Sequence, residues 1–165
     1  ISPQAMVEKI RAACAARRDP DFLVIARTDA RGVTSFDDAV ERANQYVQAG
    51  ADVIFPEALR DAGELGEFAR MVKAPLLANM TEFGKTPLLA LAELRRLGYC
   101  MVIYPQTALR TALGAVTTML ADLKRDGDQN AWVARMQTRA ELYELLDYDG
   151  LKMIDQAARG KGDSA

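Results

Sequence analysis

Four short apolar runs recur along this chain of 165 residues, each followed by a segment of helical periodicity. They extend from Phe22 to Ala26, from Asp52 to Phe55, from Pro75 to Ala78 and from Cys100 to Tyr104. Apolar and polar residues hardly alternate within them, which is typical of parallel strands buried on both faces. With a further helical segment ahead of the first run, the pattern predicts an α/β fold built on a parallel sheet.

Several helices carry a start signal, a capping side chain followed by a proline or by an acidic residue in the first turn. The signals are Ser2 with Pro3, Ser35 with Asp38, Asp61 with Glu64, and Thr86 with Pro87. From Thr107 onward we predict no strand, but a helix to about Lys124, a polar break and two or three shorter helices. The chain is therefore divided into a sheet-forming part, residues 1–125, and a C-terminal helical extension, residues 126–165.

Parallel strands of this kind belong either to a small doubly wound sheet or to half of a closed TIM-type (β/α)8 barrel. Polar residues directly follow all four runs: Arg27 to Asp29, Glu57, Asn79 to Glu82, and Gln106 with Thr107. In a barrel these positions crowd onto one rim, where the active sites of that fold lie, whereas an open sheet would string them along an edge. The barrel is the favoured interpretation.

Composition excludes several classes of function. The 21 basic and 23 acidic residues give a net charge of −2 without long single-sign runs, so neither a nucleic-acid surface nor a membrane anchor is predicted. No stretch approaches the ~20 apolar residues of a membrane span. We expect a cytoplasmic protein, or the processed interior of a longer one. The absence of histidine removes the commonest general base and most zinc sites.

Two charged residues at the ends of apolar runs are candidates for chemistry. Arg27 cannot lose its charge, so it needs an anion or several acceptors, and it could clamp a substrate carboxylate. The alternative is an internal pair with Asp29 or Glu57. Glu57 itself could bind a metal, directly or through water, or act as a base, and its alternative is a partner for Arg27.

Neutral polar groups and two further arginines complete the candidate set. Asn79 and Thr81 offer donors and acceptors for a second carboxylate, the alternative being that they only cap their loop. Arg110 could face the rim or solvent, whereas for Arg139 taken alone a position on a helix surface is favoured. Because the chain has neither a GxGxxG nor a GxxxxGK[ST] loop, the set suits a small di- or tricarboxylate better than a nucleotide.

Five segments together resemble the isocitrate lyase and phosphoenolpyruvate mutase superfamily: ARTDA, AGADVIFPEA, ANMTEFGKTP, YPQTALR and MQTRAELYELLDYD. The similarity runs from Ile1 to about Tyr148. TEFG with the later MQTR and ELY resembles the branch that cleaves 2-methylisocitrate, and the isocitrate lyase signature NCSPSFNW is absent where TEFGKTP stands. The resemblance implies a TIM-type (β/α)8 barrel, of which this chain supplies about the last four strands and the C-terminal helices.

The resemblance also implies an activity, the cleavage of 2-methylisocitrate to pyruvate and succinate through an enolate stabilised by Mg²⁺. Arg27 would bind the carboxylate of the pyruvate portion, and Glu57 would belong to the network around the metal and its waters. The succinate portion would be held by Asn79, Thr81, Arg110 and Arg139. No direct metal ligand is expected in this chain. A homo-oligomer, a tetramer with exchange of C-terminal helices, is the implied assembly.

In the family, the metal-binding aspartates, an SGG loop and the KxCGH loop with its catalytic cysteine precede the region that this sequence resembles. We therefore expect the chain to be a fragment that is inactive alone. Two enzymatic alternatives remain open, a decarboxylase of oxaloacetate or another 2-oxo acid, and an isocitrate lyase. A third alternative is a non-enzymatic α/β interaction module.

Overall fold

A computed structural model describes the backbone of residues 1–160 and the side chains of residues 1–154. The elements, in chain order, are α1 (Pro3–Ala16), β1 (Ile25–Thr28), α2 (Ala30–Val33), α3 (Phe36–Gln48), β2 (Val53–Pro56), α4 (Ala62–Met71), β3 (Leu77–Asn79), α5 (Leu91–Leu97), β4 (Met101–Ile103), α6 (Thr107–Asp126), a 3-10 helix (Asn130–Arg135), α7 (Arg139–Leu145) and α8 (Tyr148–Gly160). The chain forms two compact units, Ile1–Ala112 and the residues from Leu113 onward. No helix of the described part is long and apolar enough to cross a membrane.

The four strands are parallel and follow one another in space as they do in sequence. β1 pairs with β2 and β3 pairs with β4, while a bridge between Ile54 and Leu76 joins the two pairs. A doubly wound sheet reverses its strand order at a switch point, and no reversal occurs among the described strands. Sequential parallel strands with helices between them are the arrangement of an arc of a (β/α)8 barrel.

The predicted strands lie within a few residues of the observed ones, and the first is the most displaced. Its apolar run begins at Phe22, but β1 comprises Ile25–Thr28. Phe22 and Leu23 are 66% and 46% exposed and remain outside the sheet. Pairing with β2 places Arg27 beside Phe55, so Arg27 lies inside the strand rather than after it. Backbone pairing, rather than apolarity, decides where this strand begins.

Three of the four predicted helix starts are confirmed. The side chains of Ser2, Ser35 and Asp61 each accept a hydrogen bond from a backbone N–H in the first turn, at 3.2, 3.1 and 2.8 Å. The predicted start at Thr86 and Pro87 is wrong, because α5 begins at Leu91 after Ala90, which makes no side-chain cap. Leu89 lies between the predicted and the observed start. It packs on the core and its N–H donates to Met80 Sδ, and these contacts keep the segment out of the helix.

No strand follows β4 in the part of the chain that the structure describes, as predicted from Thr107 onward. α6 ends at Asp126, two residues beyond the predicted end, and short helices follow it within the described part. Thr138 and Glu141 form a reciprocal capping box at the start of α7. Trp132 Nε1 donates to Asp122 at 2.9 Å, which ties the 3-10 helix to α6. The division at residue 125 into barrel half and extension stays a prediction.

The core of the first unit lies between the strands and the helices that cover them. Phe68 of α4 is fully buried and packs edge-on against Phe36 of α3, with ring centroids 6.2 Å apart. Ile54 of β2 and Leu94 of α5 are likewise buried in this layer. One continuous apolar layer therefore holds the helices against the strands and keeps the strand ends at a common level.

A partly buried ion pair between Arg31 and Glu64 connects the segment after β1 to the start of α4. Arg31 Nε lies 2.9 and 3.1 Å from the two carboxylate oxygens of Glu64, and Arg31 Nη2 adds a third hydrogen bond. Glu64 also accepts from the backbone N–H of Arg60 at 2.9 Å. The hydrogen bonds from Arg31 lower the pKa of Glu64 below its ordinary 4.5, with Arg60 assisting and partial burial opposing.

Phe68→Ala should lower the free energy of unfolding by about 3–5 kcal/mol, because it removes a fully buried ring and leaves a cavity. Urea denaturation followed by circular dichroism measures the loss. Phe22→Ala is the matched control, since Phe22 is 66% exposed, and it should change stability far less. Equal losses from the two variants would contradict the described core.

Glu64→Gln should lower the melting temperature at pH 7 by roughly 2–4 °C, because the charged partner of Arg31 is lost. A carboxyl whose native pKa is depressed stabilises the fold above its unfolded pKa, and that contribution disappears as pH falls through the native pKa. The unaltered chain should therefore lose stability below about pH 4.5 more steeply than the variant. Glu67→Gln, an exposed site on the same helix, should keep the steeper acid dependence.

Candidate active site

The carboxyl ends of β1, β2 and β3 open into a cleft of about 400 Å³. Its walls are formed by residues that end these strands or follow them: Arg27, Asp29, Gly32, Val33, Glu57, Ala58, Asn79, Thr81, Gly84 and Lys85. Four of the six candidate residues named from sequence lie in this set. Parallel pairing brings them together, since it places the carboxyl ends of neighbouring strands at the same edge.

Arg27 is held in place from three directions. Its Nε and Nη2 donate to the two oxygens of Asp29 at 3.0 and 2.7 Å, and Nη2 lies 3.2 Å from Glu57 Oε2. The guanidinium carbon stands 4.9 Å from the centroid of the Phe55 ring. The hydrogen bond to Asp29 raises the pKa of Arg27, against the opposing effect of burial and with help from the Glu57 charge.

Both internal pairs considered as alternatives for Arg27 are therefore present. They occupy Nε and Nη2 and leave Nη1 without a hydrogen bond to any described residue. A guanidinium carries five N–H donors, so two remain on Nη1. Asp29 therefore holds the Arg27 guanidinium along one side. The two N–H groups of Nη1 remain available to the carboxylate of a ligand.

Glu57 and Asn79 form a second contact across the cleft, from β2 to β3. Asn79 Nδ2 donates to Glu57 Oε2 at 3.2 Å, and the Glu57 side chain is 20% exposed. Glu57 Oε1 makes no hydrogen bond to a described residue, while Asn79 Oδ1 is buried without a partner in the same part of the chain. One carboxylate oxygen of Glu57 is thus left for a donor that the described residues do not supply.

The backbone around the cleft is unusual at two places. Ala58, directly after Glu57, has φ +65°, and Phe83, directly after Glu82, has φ +62°. Residues other than glycine adopt this left-handed conformation only at a cost of roughly 1–3 kcal/mol, and such strain clusters at functional sites. Gly32 approaches Ala58 closely, since a Cβ on Gly32 would lie 3.1 Å from the Ala58 Cβ. A side chain at Gly32 would therefore require Ala58 to shift by a few tenths of an ångström.

The two remaining arginine candidates do not line the cleft. Arg110, in the first turn of α6, donates through Nη1 to the backbone oxygen of Glu82 and lies 3.3 Å from its Oε2. Thr107 donates to the other carboxylate oxygen, and this hydrogen bond, more than the Arg110 charge, lowers the pKa of Glu82. Arg139 is the first residue of α7, in the second unit, where it follows the capping residue Thr138.

Sequence reasoning did not single out Lys85, Gly32 or Ala58, although all three line the cleft. Lys85 stands three residues after Glu82 in the segment TEFGKTP. This position close to the polar end of the third strand is the sequence feature from which its place in the cleft could have been predicted. Gly32 and Ala58 carried no such signal, because their part in the site depends on a close approach between segments distant in sequence.

The described residues do not form a metal centre of their own. Within them no three Asp, Glu, Cys or His side chains converge as metal ligands. The two cysteines do not line the cleft: Cys14 Sγ donates to the Gly50 backbone oxygen and Cys100 Sγ to that of Leu76. Among the described residues, the cleft therefore combines an oriented guanidinium with neutral amide and hydroxyl groups and one unpaired oxygen of Glu57, and it forms no direct metal cage.

Comparison with known proteins agrees with this architecture. The chain is 51% identical over 163 residues to the 2-methylisocitrate lyase of Aeropyrum pernix, covering 99% of this chain and 52% of that protein. The chain thus spans about half the length of the curated relatives it matches. The matched stretch covers nearly the whole of this chain.

Solved structures show the same fold. A crystal structure of 2,3-dimethylmalate lyase, a member of the PEP mutase/isocitrate lyase superfamily, superimposes with a TM-score of 0.84 at 32% identity over 96% of this chain and 56% of that one. A phosphonopyruvate hydrolase in complex with oxalate and Mg²⁺ gives 0.82 at 32% identity, over 94% of this chain and 56% of that one. The expected partial (β/α)8 barrel of this superfamily is confirmed.

The family model described as phosphoenolpyruvate phosphomutase matches residues 1–124, which include all four strands and the whole cleft. Together with the strand order and the residues at the strand ends, this match over most of the chain establishes that the chain belongs to the phosphoenolpyruvate phosphomutase family.

Proposed function

We propose that this chain supplies the carboxylate-holding side of a carbon–carbon lyase site that cleaves 2-methylisocitrate to pyruvate and succinate. The observation that carries the proposal is the fixed guanidinium of Arg27, whose Nη1 is left for a ligand beside the neutral groups of Asn79 and Thr81. An oriented cation next to neutral donors suits a small polycarboxylate. The identity to 2-methylisocitrate lyases supports the choice of substrate.

Each group has a distinct task in this proposal. Arg27 holds the carboxylate of the portion that leaves as pyruvate, and Asp29 keeps the guanidinium plane fixed. Asn79 and Thr81 bind the succinate portion through an amide and a hydroxyl. Arg110 and Arg139 stay candidate contacts for that portion, and Arg110 would first exchange its hydrogen bond to Glu82 for the substrate. Such positioning lowers the barrier by holding the reacting bond in one geometry.

Magnesium is part of the proposal, with its direct ligands outside the described residues. Glu57 fits an outer position, since its Oε1 is uncommitted and a carboxylate readily accepts from metal-bound water. A bound Mg²⁺ supplies Lewis-acid stabilisation of the negative charge that develops as the carbon–carbon bond breaks. Glu57 would hold that water and could exchange a proton with it. The cytoplasmic location and the tetramer with exchanged C-terminal helices stay predictions.

Arg27→Lys should weaken the binding of succinate or pyruvate to the chain about tenfold, because lysine keeps the charge but cannot be held side-on by Asp29. Isothermal titration calorimetry measures the affinity. Arg96→Lys is the matched control, since Arg96 lies on α5 with its side chain 75% exposed, and its affinity should equal that of the unaltered chain.

A dicarboxylate should also raise the melting temperature of the unaltered chain in proportion to the logarithm of its concentration. An interaction module without a carboxylate site would show no such rise. The absence of both the rise and the calorimetric binding would therefore exclude the proposed site.

The polypeptide by itself should bind 2-methylisocitrate with Mg²⁺ present but should not turn it over, because the described residues form no direct metal cage and place no thiol in the cleft. Pyruvate and succinate are quantified by chromatography. Robust turnover by this chain alone would contradict the division of tasks. Release of carbon dioxide from oxaloacetate would instead favour a 2-oxo-acid decarboxylase.

A further inference from the structure

We infer that Lys85 is a second carboxylate-binding residue of the cleft, the contact that holds the end of the substrate remote from Arg27. The inference rests on the proposed function and names a residue within that site. Lys85 lies on the segment between β3 and α5 and lines the same cleft as Arg27, Glu57, Asn79 and Thr81.

Lys85 is the charged residue of the cleft that forms no ion pair with another described residue. Two cations and two carboxylates line it, and both carboxylates lie within 3.2 Å of Arg27. None of the ion pairs formed by described residues includes Lys85. Arg27 therefore already faces two carboxylates before a ligand arrives, whereas the ammonium of Lys85 forms no ion pair with a described residue.

The local packing brings Lys85 toward the neighbouring strand end. A Cβ placed on Gly32 would lie 3.4 Å from Lys85 Nζ, so the ammonium passes over the backbone of α2 where a side chain is absent. The amino group of Lys85, on the loop that follows β3, therefore lies beside the segment that follows β1. The Lys85 side chain is exposed, and its ammonium lies beside Gly32 at the edge of the cleft.

A monocarboxylate would be satisfied by Arg27 alone, but a di- or tricarboxylate carries further charge that neutral Asn79 and Thr81 do not balance. A lysine is a mobile point charge with three donors and needs no fixed approach geometry. It suits the flexible end of an extended substrate, whereas the oriented guanidinium suits the end at which the bond is broken. Arg27 would therefore bind one end of the substrate in a fixed geometry, and Lys85 would bind the other end in an adaptable one.

The test compares Lys85→Gln with Lys73→Gln, which removes the same charge from an exposed position before β3, at the opposite edge of the sheet. Succinate and pyruvate are titrated into each variant and into the unaltered chain by calorimetry. Lys85→Gln should weaken succinate binding about fivefold and change pyruvate binding little, because only the dicarboxylate reaches both cations. Lys73→Gln should leave both affinities unchanged, and circular dichroism should show all three chains equally folded.

A second measurement needs no substitution. Acetylation of lysines by acetic anhydride, read by mass spectrometry of peptides, should slow at Lys85 when succinate is present and should not slow at Lys73.

The outcomes separate this inference from the function it rests on. Succinate binding that is weakened in Arg27→Lys but unchanged in Lys85→Gln would overturn the role of Lys85 and leave the proposed function standing. Equal weakening of succinate binding by Lys73→Gln would also overturn the role of Lys85, since the loss of any positive charge would then explain the effect. No saturable binding of succinate by the unaltered chain would overturn both.

Discussion

The parallel pairing of four short strands is the constraint on which the rest of the molecule depends. Main-chain hydrogen bonds tie the strands at their carboxyl ends: Glu57 N–H donates to the Thr28 oxygen at 2.9 Å, and Met80 N–H donates to the Ile103 oxygen at 2.9 Å. These bonds fix the level at which each strand stops. Side chains that are far apart in sequence therefore share one rim without further adjustment, and the cleft is a direct product of the register.

Within that rim, charge is arranged before any ligand is bound. Asp29 and Glu57 surround one guanidinium, and Asn79 links Glu57 to the third strand. A guanidinium half exposed to water loses little by such pairing and gains a fixed orientation. The same carboxylates that form its internal pairs also fix its orientation, so internal pairing is compatible with the proposed contact between Arg27 and a substrate.

The strands and three helix starts could be predicted from sequence because each depends on chemistry within a few residues. The four cleft residues could be predicted because parallel pairing brings the carboxyl ends of neighbouring strands together. Burial on both faces selects apolar runs, and an N-cap needs only its own first turn. The beginning of β1 escaped prediction because Phe22 and Leu23 are apolar yet exposed. Gly32 and Ala58 escaped because their contact joins segments that only the folded chain brings together. The roles of all these residues stay predictions.

The close approach of Gly32 to Ala58 has a consequence for how such a site can vary. A Cβ on Gly32 would lie only 3.1 Å from the Ala58 Cβ, so added bulk in one segment displaces the other. Glu57 lies one residue from this junction, so its carboxylate would move with any such displacement. Variation in ligand preference is therefore expected to arise farther along the rim, in the segment after β3, where the Phe83 side chain is 95% exposed.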